Sequence, residues 1–178
     1  MSLEGIRRKI DLTDKEILKL LNKRTSLILS IAKIKKKKDL PIYTPSREKE
    51  VYEKLKALNK GPIEDKSLKA IYREIMSSAL NLEKPMKVTY LGPKATFTQM
   101  AAIQKFGESV DYIECKSISD VFTEVERGRA DYGVVPIENS IEGAVNHTLD
   151  MFIESELRIC SEIYLPIRHH LLSKHKKL

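Results

Sequence analysis

The 178-residue sequence contains no apolar run near the roughly 18 residues that a membrane span requires, and its N-terminus lacks the charged-then-apolar order of a signal peptide. Those absences argue against a membrane protein and a secreted one, and the cytoplasm is the expected location. Cysteine is scarce as well. Cys115 and Cys160 lie far apart, with no CxxC pair and no Cys/His cluster, so neither a disulfide scaffold nor a zinc site is indicated. Both are expected to be small buried residues, and no metal site is expected. What is present is 42% apolar content, enough for one large core or two small ones, and a net charge of +7. Such a charge suits nucleic acid, an anionic membrane surface or a small polyanionic ligand, and charge alone does not choose among them.

Proline is missing from Leu3 to Lys38, and glycine occurs there once, at Gly5. Apolar residues fall at 3, 6, 10, 17, 20, 21, 27, 28, 31 and 34, which is helical spacing. A helix of about 35 residues is about 50 Å long, too long for a compact monomer of this size, so a partner along its length is expected. Pro41 and Pro45 break it. A second helix is predicted over Ser46–Asn59, stopped by Gly61-Pro62, and a third over Asp65–Glu83, with Leu68, Ile71, Ile75, Ala79 and Leu82 on one stripe.

After Lys84-Pro85 the pattern changes. Lys87–Leu91 alternates and meets Gly92-Pro93, a strand running into a loop, which places a domain boundary near residue 85. Helices are predicted near Thr98–Phe106, Ser119–Arg127 and Gly143–Ile153, and strands near Val110–Cys115, Tyr132–Pro136, Leu157–Leu165 and Ile167–Leu172. Strands alternating with helices imply a partial α/β domain with a mostly parallel sheet behind an all-α domain. The C-terminal residues suggest a truncated lobe.

Within the first helix the apolar stripe runs through residues 17, 20, 24, 27 or 28, 31 and 34 or 35, so Arg24 sits inside the hydrophobic face. An unpaired guanidinium there is costly and implies an anionic partner. Lys35 lies about three turns further on the same face, so the two cations are placed to grip opposite ends of one small dianion. Arg7 is turned roughly 100° from that face and is better placed to serve a neighbouring protomer. Arg47 and Glu48 follow the Pro45 break, and a carboxylate suits the first turn of a helix. From pattern alone, a structural ion pair or a snorkelling side chain is the more usual reason for such an arginine, and only the resemblance shifts that balance.

The segments Ile6-Arg7-Arg8-Lys9-Ile10, Leu20-Leu21-Asn22-Lys23-Arg24 and Ile31-Ala32-Lys33-Ile34-Lys35, with Pro41 and Arg47-Glu48, resemble the all-helical chorismate mutases over residues 3 to 83. The resemblance implies an intertwined dimer, with three helices from each of two chains. It also implies that Arg24, Lys35 and Arg47 bind substrate, that Arg7 reaches in from the partner, and that Glu48 holds a substrate hydroxyl. Chorismate is a dicarboxylate, and its conversion to prephenate is an intramolecular [3,3] rearrangement, so no nucleophile, cofactor or metal is required. The protein holds the reactive chair and stabilises charge on the breaking ether oxygen, which Lys35 is expected to face. Glu83 matches a Gln or Glu position and donates to that oxygen only when neutral. Thr44 stands where the family often has Asp, and Ala79 where a small hydroxyl residue is common, although Ser78 is adjacent.

Further on, Tyr90-Leu91-Gly92-Pro93-Lys94-Ala95-Thr96-Phe97-Thr98 and Ala130 through Ser140 resemble the front of prephenate dehydratases. Together the two resemblances suggest the bifunctional type of phenylalanine biosynthesis. They implicate Thr96, Glu138, Asn139 and Ser140 in substrate binding at strand ends, where α/β sheets collect ligands. From the residues alone, capping and turn chemistry serves as well. His169 also matches, and Ala95 stands in place of a usual Gly. The family's Thr-Arg-Phe segment and its phenylalanine-binding regulatory domain have no counterpart before Leu178, so dehydratase activity is not expected of this chain.

A competing reading makes the helical half a dimerisation or anion-binding module without catalysis. Nucleic-acid binding predicts exposed basic clusters interleaved with aromatics, whereas here Arg24 lies in an apolar stripe and the helical half has only tyrosines as aromatics. No nucleic acid and no membrane partner is therefore expected.

Overall fold

A computed structural model describes residues 2–38, 40, 43–139, 143–168, 170 and 172–174. Helix α1 spans Leu3–Lys37. Ser2 caps it by accepting from Gly5 N at 3.2 Å, and Glu4 at its start and Lys35–Lys37 at its end complement the helix dipole. None of its described residues is buried, and Ile6, Ile10, Ile17, Leu20, Leu27, Ile31 and Ile34 are all exposed. That leaves an apolar face about 50 Å long with no cover over most of its length.

Helix α2 (Pro45–Leu58) begins with Pro at its first position, where the missing N–H costs nothing. Helix α3 (Asp65–Glu83) packs on both, and it buries Ser77 and Ala79. All three helices agree with the sequence expectation to within a residue.

Strand β1 (Lys87–Leu91) is the centre of a three-stranded parallel sheet, flanked by β2 (Asp111–Cys115) and β3 (Tyr132–Val134). Val88, Thr89 and Tyr90 are all buried, as a parallel strand covered on both faces requires. Helix α4 (Phe97–Phe106) covers the Val88 and Tyr90 face with Ala102 and Phe106. Helix α5 (Ile118–Glu126) covers the other face. It begins with a capping box between Ser117 and Asp120, and a side chain at Gly133 would strike Val121. Tyr43, from the connection between α1 and α2, joins the α4-side core and stacks near Phe106 and Tyr132.

Four expectations need correction. The helix expected from Gly143 starts at Asn146 (α6, Asn146–Glu154), because Gly143–Ala144 (β5) pairs antiparallel with Glu138–Asn139 (β4). The strand expected over Leu157–Leu165 forms no ladder. That segment reaches neither sheet edge but lays Ile163 on the core, while Tyr164 O accepts from Gln104 Nε2 at 3.3 Å. Ile167, Arg168, His170 and Leu172 are likewise unpaired, and His169 and Leu171 lie outside the described residues. Cys115 is buried as expected, with its sulfur 2.8 Å from Thr89 Oγ1, but Cys160 is exposed on the unpaired segment. Among the described residues no helix is long and apolar enough to cross a membrane.

The helical and α/β halves are joined by more than the chain. Gly107 ends α4 with φ of 79°, and a Cβ there would lie 2.6 Å from Ser77 Cβ, so glycine is required both by conformation and by close approach. Beyond it Glu108 N donates to Glu74 Oε2 at 2.9 Å, and Ser109 N donates to Ser77 Oγ at 3.3 Å. Burial alone would raise the Glu74 carboxyl pKa, but the Glu108 N–H and Arg73 outweigh it and hold the pKa low. Lys84 Nζ also donates to Asp131 at 2.7 Å.

Candidate active site

A cavity of about 310 Å³ opens between the three helices, within the range of sites for small molecules. Each wall follows from helical spacing. Arg24, Ile28, Ile31 and Lys35 recur at intervals of three or four along α1, and Thr44, Arg47, Glu48 and Val51 come from the start of α2. Helix α3 adds Arg73, Met76, Ser77, Ala79, Leu80 and Glu83. Five of the expected site residues, Arg24, Lys35, Arg47, Glu48 and Glu83, thus meet at one place although they are spread over 60 positions of sequence.

The lining is cationic: Arg24, Lys35, Arg47, Arg73 and Lys105 face two carboxylates, Glu48 and Glu83. Some of that charge is already matched. Arg47 Nη1 donates to Glu50 at 2.7 Å, and Arg73 Nε donates to Glu74 at 2.8 Å. Glu48 Oε2 accepts from Tyr43 OH at 2.6 Å and from Lys105 Nζ at 3.3 Å. Two cavity atoms differ. Arg24 Nη1 and Glu83 Oε2 are buried and have no hydrogen-bond partner among the described residues. Buried polar atoms are almost always satisfied, so a pair of orphans facing one cavity marks a place for ligand atoms. Burial raises the Glu83 pKa, partly opposed by the nearby Lys35 charge, so its neutral, proton-donating form survives to higher pH than that of an ordinary glutamate.

Other expected residues lie elsewhere. Arg7 is exposed on α1, 17 residues before Arg24 and therefore about 25 Å away along the helix. Ser78 is exposed, and its hydroxyl donates to Ile75 O, so it does not stand in for Ala79. Thr44 precedes α2 without a side-chain cap bond and faces the cavity. Thr96 caps α4, accepting from Gln99 N at 3.4 Å and donating to Leu91 O at 3.3 Å. Glu138 and Asn139 are exposed in β4. Thr96 follows β1 and Glu138 follows β3, and these strands are parallel neighbours, so both residues leave the same carboxyl edge of the sheet. Ser140 lies outside the described residues. Ala95 has φ of 64°, the left-handed conformation a glycine would adopt without strain.

Sequence reasoning missed Tyr43, Arg73, Lys105 and Phe106. Arg73 had a signal, since it precedes Ser77 and Leu80 of the lining by four and seven residues on α3. The other three come from a connection and from the α/β half, and nothing local announces their docking.

Residues 88–178 match the family model of prephenate dehydratase, and residues 6–84 match that of chorismate mutase type II. These two matches define a chain in which a helical mutase segment precedes a dehydratase segment. The chain belongs to the prephenate dehydratase family, with a segment matching chorismate mutase type II ahead of it. It is 55% identical over 175 residues to the bifunctional chorismate mutase/prephenate dehydratase of Aquifex aeolicus, an alignment covering 96% of this chain and 48% of that protein. The protein of the same name from Escherichia coli is 33% identical over 189 residues, covering 96% of this chain and 48% of the relative. A solved chorismate mutase (Form II) from Thermus thermophilus is 34% identical, covering 46% of this chain and 93% of that one, with a TM-score of 0.45. The chain spans about half the length of the curated relatives it matches.

Proposed function

We propose that the helical half, residues 1–84, rearranges chorismate to prephenate in the cavity lined by Arg24, Lys35, Arg47, Glu48 and Glu83. The observation that carries the reading is the pair of buried atoms without a hydrogen-bond partner among the described residues, Arg24 Nη1 and Glu83 Oε2, in that one cationic cavity. Arg24 and Arg47 hold carboxylates of the substrate and fold it into the reactive chair, while Glu48 accepts from its ring hydroxyl. As the ether C–O bond breaks and the new C–C bond forms, electron density gathers on the ether oxygen. Lys35 and neutral Glu83 face that oxygen and stabilise the charge. No proton, electron or group leaves the substrate. An acceleration of about 10⁶-fold corresponds to roughly 8 kcal/mol, within the reach of positioning and a few charge-assisted bonds in a partly dry cavity.

The active form in this reading is a homodimer in the cytoplasm. The uncovered apolar face of α1 supports a second copy as the partner, and the distance of Arg7 from Arg24 supports its service to that copy's site. Residues 85–178 form the dehydratase-like unit, with Thr96, Glu138, Asn139 and Ser140 toward prephenate. The test is chorismate consumption, with prephenate as product, beside Arg24→Ala. Equal and negligible rates from both would leave the helical half a structural dimeriser.

A further inference from the structure

We propose that Lys105, on α4 of the α/β half, is a positioning residue for the helical cavity, holding the Glu48 carboxylate where it meets the substrate. The inference rests on the mutase reading of that cavity and deepens it.

Lys105 Nζ lies 3.3 Å from Glu48 Oε2, a contact that spans 57 positions of sequence, and the two side chains are only 21% and 15% exposed. Burial at this level separates the pair from ordinary surface ion pairs, which water and salt weaken. Tyr43 OH donates to the same oxygen at 2.6 Å, and the ammonium group sits 5.8 Å from the centre of the Tyr43 ring. Both donors converge on Oε2, and an ionised carboxylate keeps acceptor capacity on its other oxygen for a ligand hydroxyl. Two fixed donors on one oxygen restrict the rotation of the carboxyl group, which is the preorganisation a bound hydroxyl needs.

The platform carrying Lys105 is itself fixed to the cavity wall. Lys105 stands in the last turn of α4, two residues before Gly107, where a Cβ would come within 2.6 Å of Ser77 on α3. Glu108 and Ser109 then donate their backbone N–H groups to Glu74 and Ser77, and Ser77 lines the cavity. Phe106 also lines it. The α/β half therefore supplies part of the wall, and the mutase chemistry depends on a side chain delivered by the dehydratase-like half of the chain.

The experiment compares kcat and KM for chorismate in wild type, Lys105→Gln, Lys105→Arg, Glu48→Gln and the Lys105→Gln/Glu48→Gln double variant, with folding checked by circular dichroism. Lys105→Gln is expected to lower kcat/KM about tenfold, mostly through KM, and Lys105→Arg to recover most of the loss. In the Glu48→Gln background the same change is expected to cost less than twofold further, because its only route to the substrate is gone. A merely structural lysine would give additive losses. Should Lys105→Gln not fold, Lys105→Met keeps the apolar stem and takes its place under the same criteria. Wild-type activity with a Lys105 variant within twofold of it, or additive losses in the double variant, would overturn the inference alone. A wild-type chain that leaves chorismate untouched would overturn the mutase reading and the inference with it.

Discussion

Replacing Arg24 by Met separates a residue kept for a ligand from one kept for the fold. Methionine retains most of the apolar stem that packs beside Ile28 and removes the guanidinium whose Nη1 is buried without a partner among the described residues. If that group binds a substrate carboxylate, its loss removes one side of a partly buried charge pair. Such truncations cost about 2–5 kcal/mol. At about 1.4 kcal/mol per factor of ten, kcat/KM should fall between about 30-fold and a few thousand-fold. Stability should move the other way. An unsatisfied buried donor costs about 1–3 kcal/mol, and the low end applies because Arg24 as a whole is half-buried. Relief of about 1 kcal/mol corresponds to a Tm higher by about 2–4 °C in a chain of this size. Initial rates of chorismate loss and scanning calorimetry on the same preparations measure both. A variant that loses activity and melts several degrees lower would make Arg24 a structural ion-pairing residue and refute the reasoning.

Other expectations follow from particular groups. Because burial raises the Glu83 pKa and the mechanism uses its neutral form, mutase activity should fall as pH rises through that elevated value, and Glu83→Gln should flatten the profile. An unchanged profile in rate measurements across pH would contradict this role. Arg7→Ala and Arg24→Ala chains, each nearly inactive alone, should regain about one quarter of wild-type activity when refolded as an equal mixture, because half the dimers are mixed and each mixed dimer has one intact site. No recovery would refute a shared site. Burial would raise the Asp131 pKa, but hydrogen bonds from Lys84 Nζ and Lys87 N outweigh it and hold it low. Its stabilisation is therefore present above the unfolded value of about 3.9 and lost as pH falls through the folded one. Asp131→Asn should lower Tm at neutral pH by the equivalent of about 1 kcal/mol, with the gap closing below about pH 4 in melts against pH. Ala95→Gly should raise stability by about 0.5 kcal/mol, since relief of left-handed strain exceeds the added freedom of the unfolded chain, and denaturant titration would register it.

Much of this architecture is legible locally. Pro41, Pro45 and Gly61-Pro62 punctuate the helical half so plainly that all three helix spans emerge to within a residue, and Arg24 stands out because a cation inside an apolar stripe needs a reason. The alternation at Lys87–Leu91 and the apolar residues of Tyr132–Val134 likewise mark parallel strands. What escaped is whatever depends on docking between distant segments. Alternation in Leu157–Leu165 signals extended backbone, but a strand also needs a neighbour's N–H and C=O groups, and neither sheet edge is offered there. Cys160 is exposed for the same reason. Lys105 looks like one more surface lysine on an amphipathic helix until α4 is packed against α3, and Tyr43 looks like a loop residue until it enters the core beside Phe106. Ser140 and His169 lie outside the described residues, and the role proposed for Arg7 requires a second copy of the chain.

Titration of the protein with a rigid bicyclic ether dicarboxylate shaped like the chair-like transition state, followed by calorimetry, tests the cavity most directly, because an enzyme of this kind binds such a compound more tightly than its substrate. The account predicts one site per chain, with binding weakened at least about 30-fold in Arg24→Met. No binding, or equal affinity in the two proteins, would contradict it.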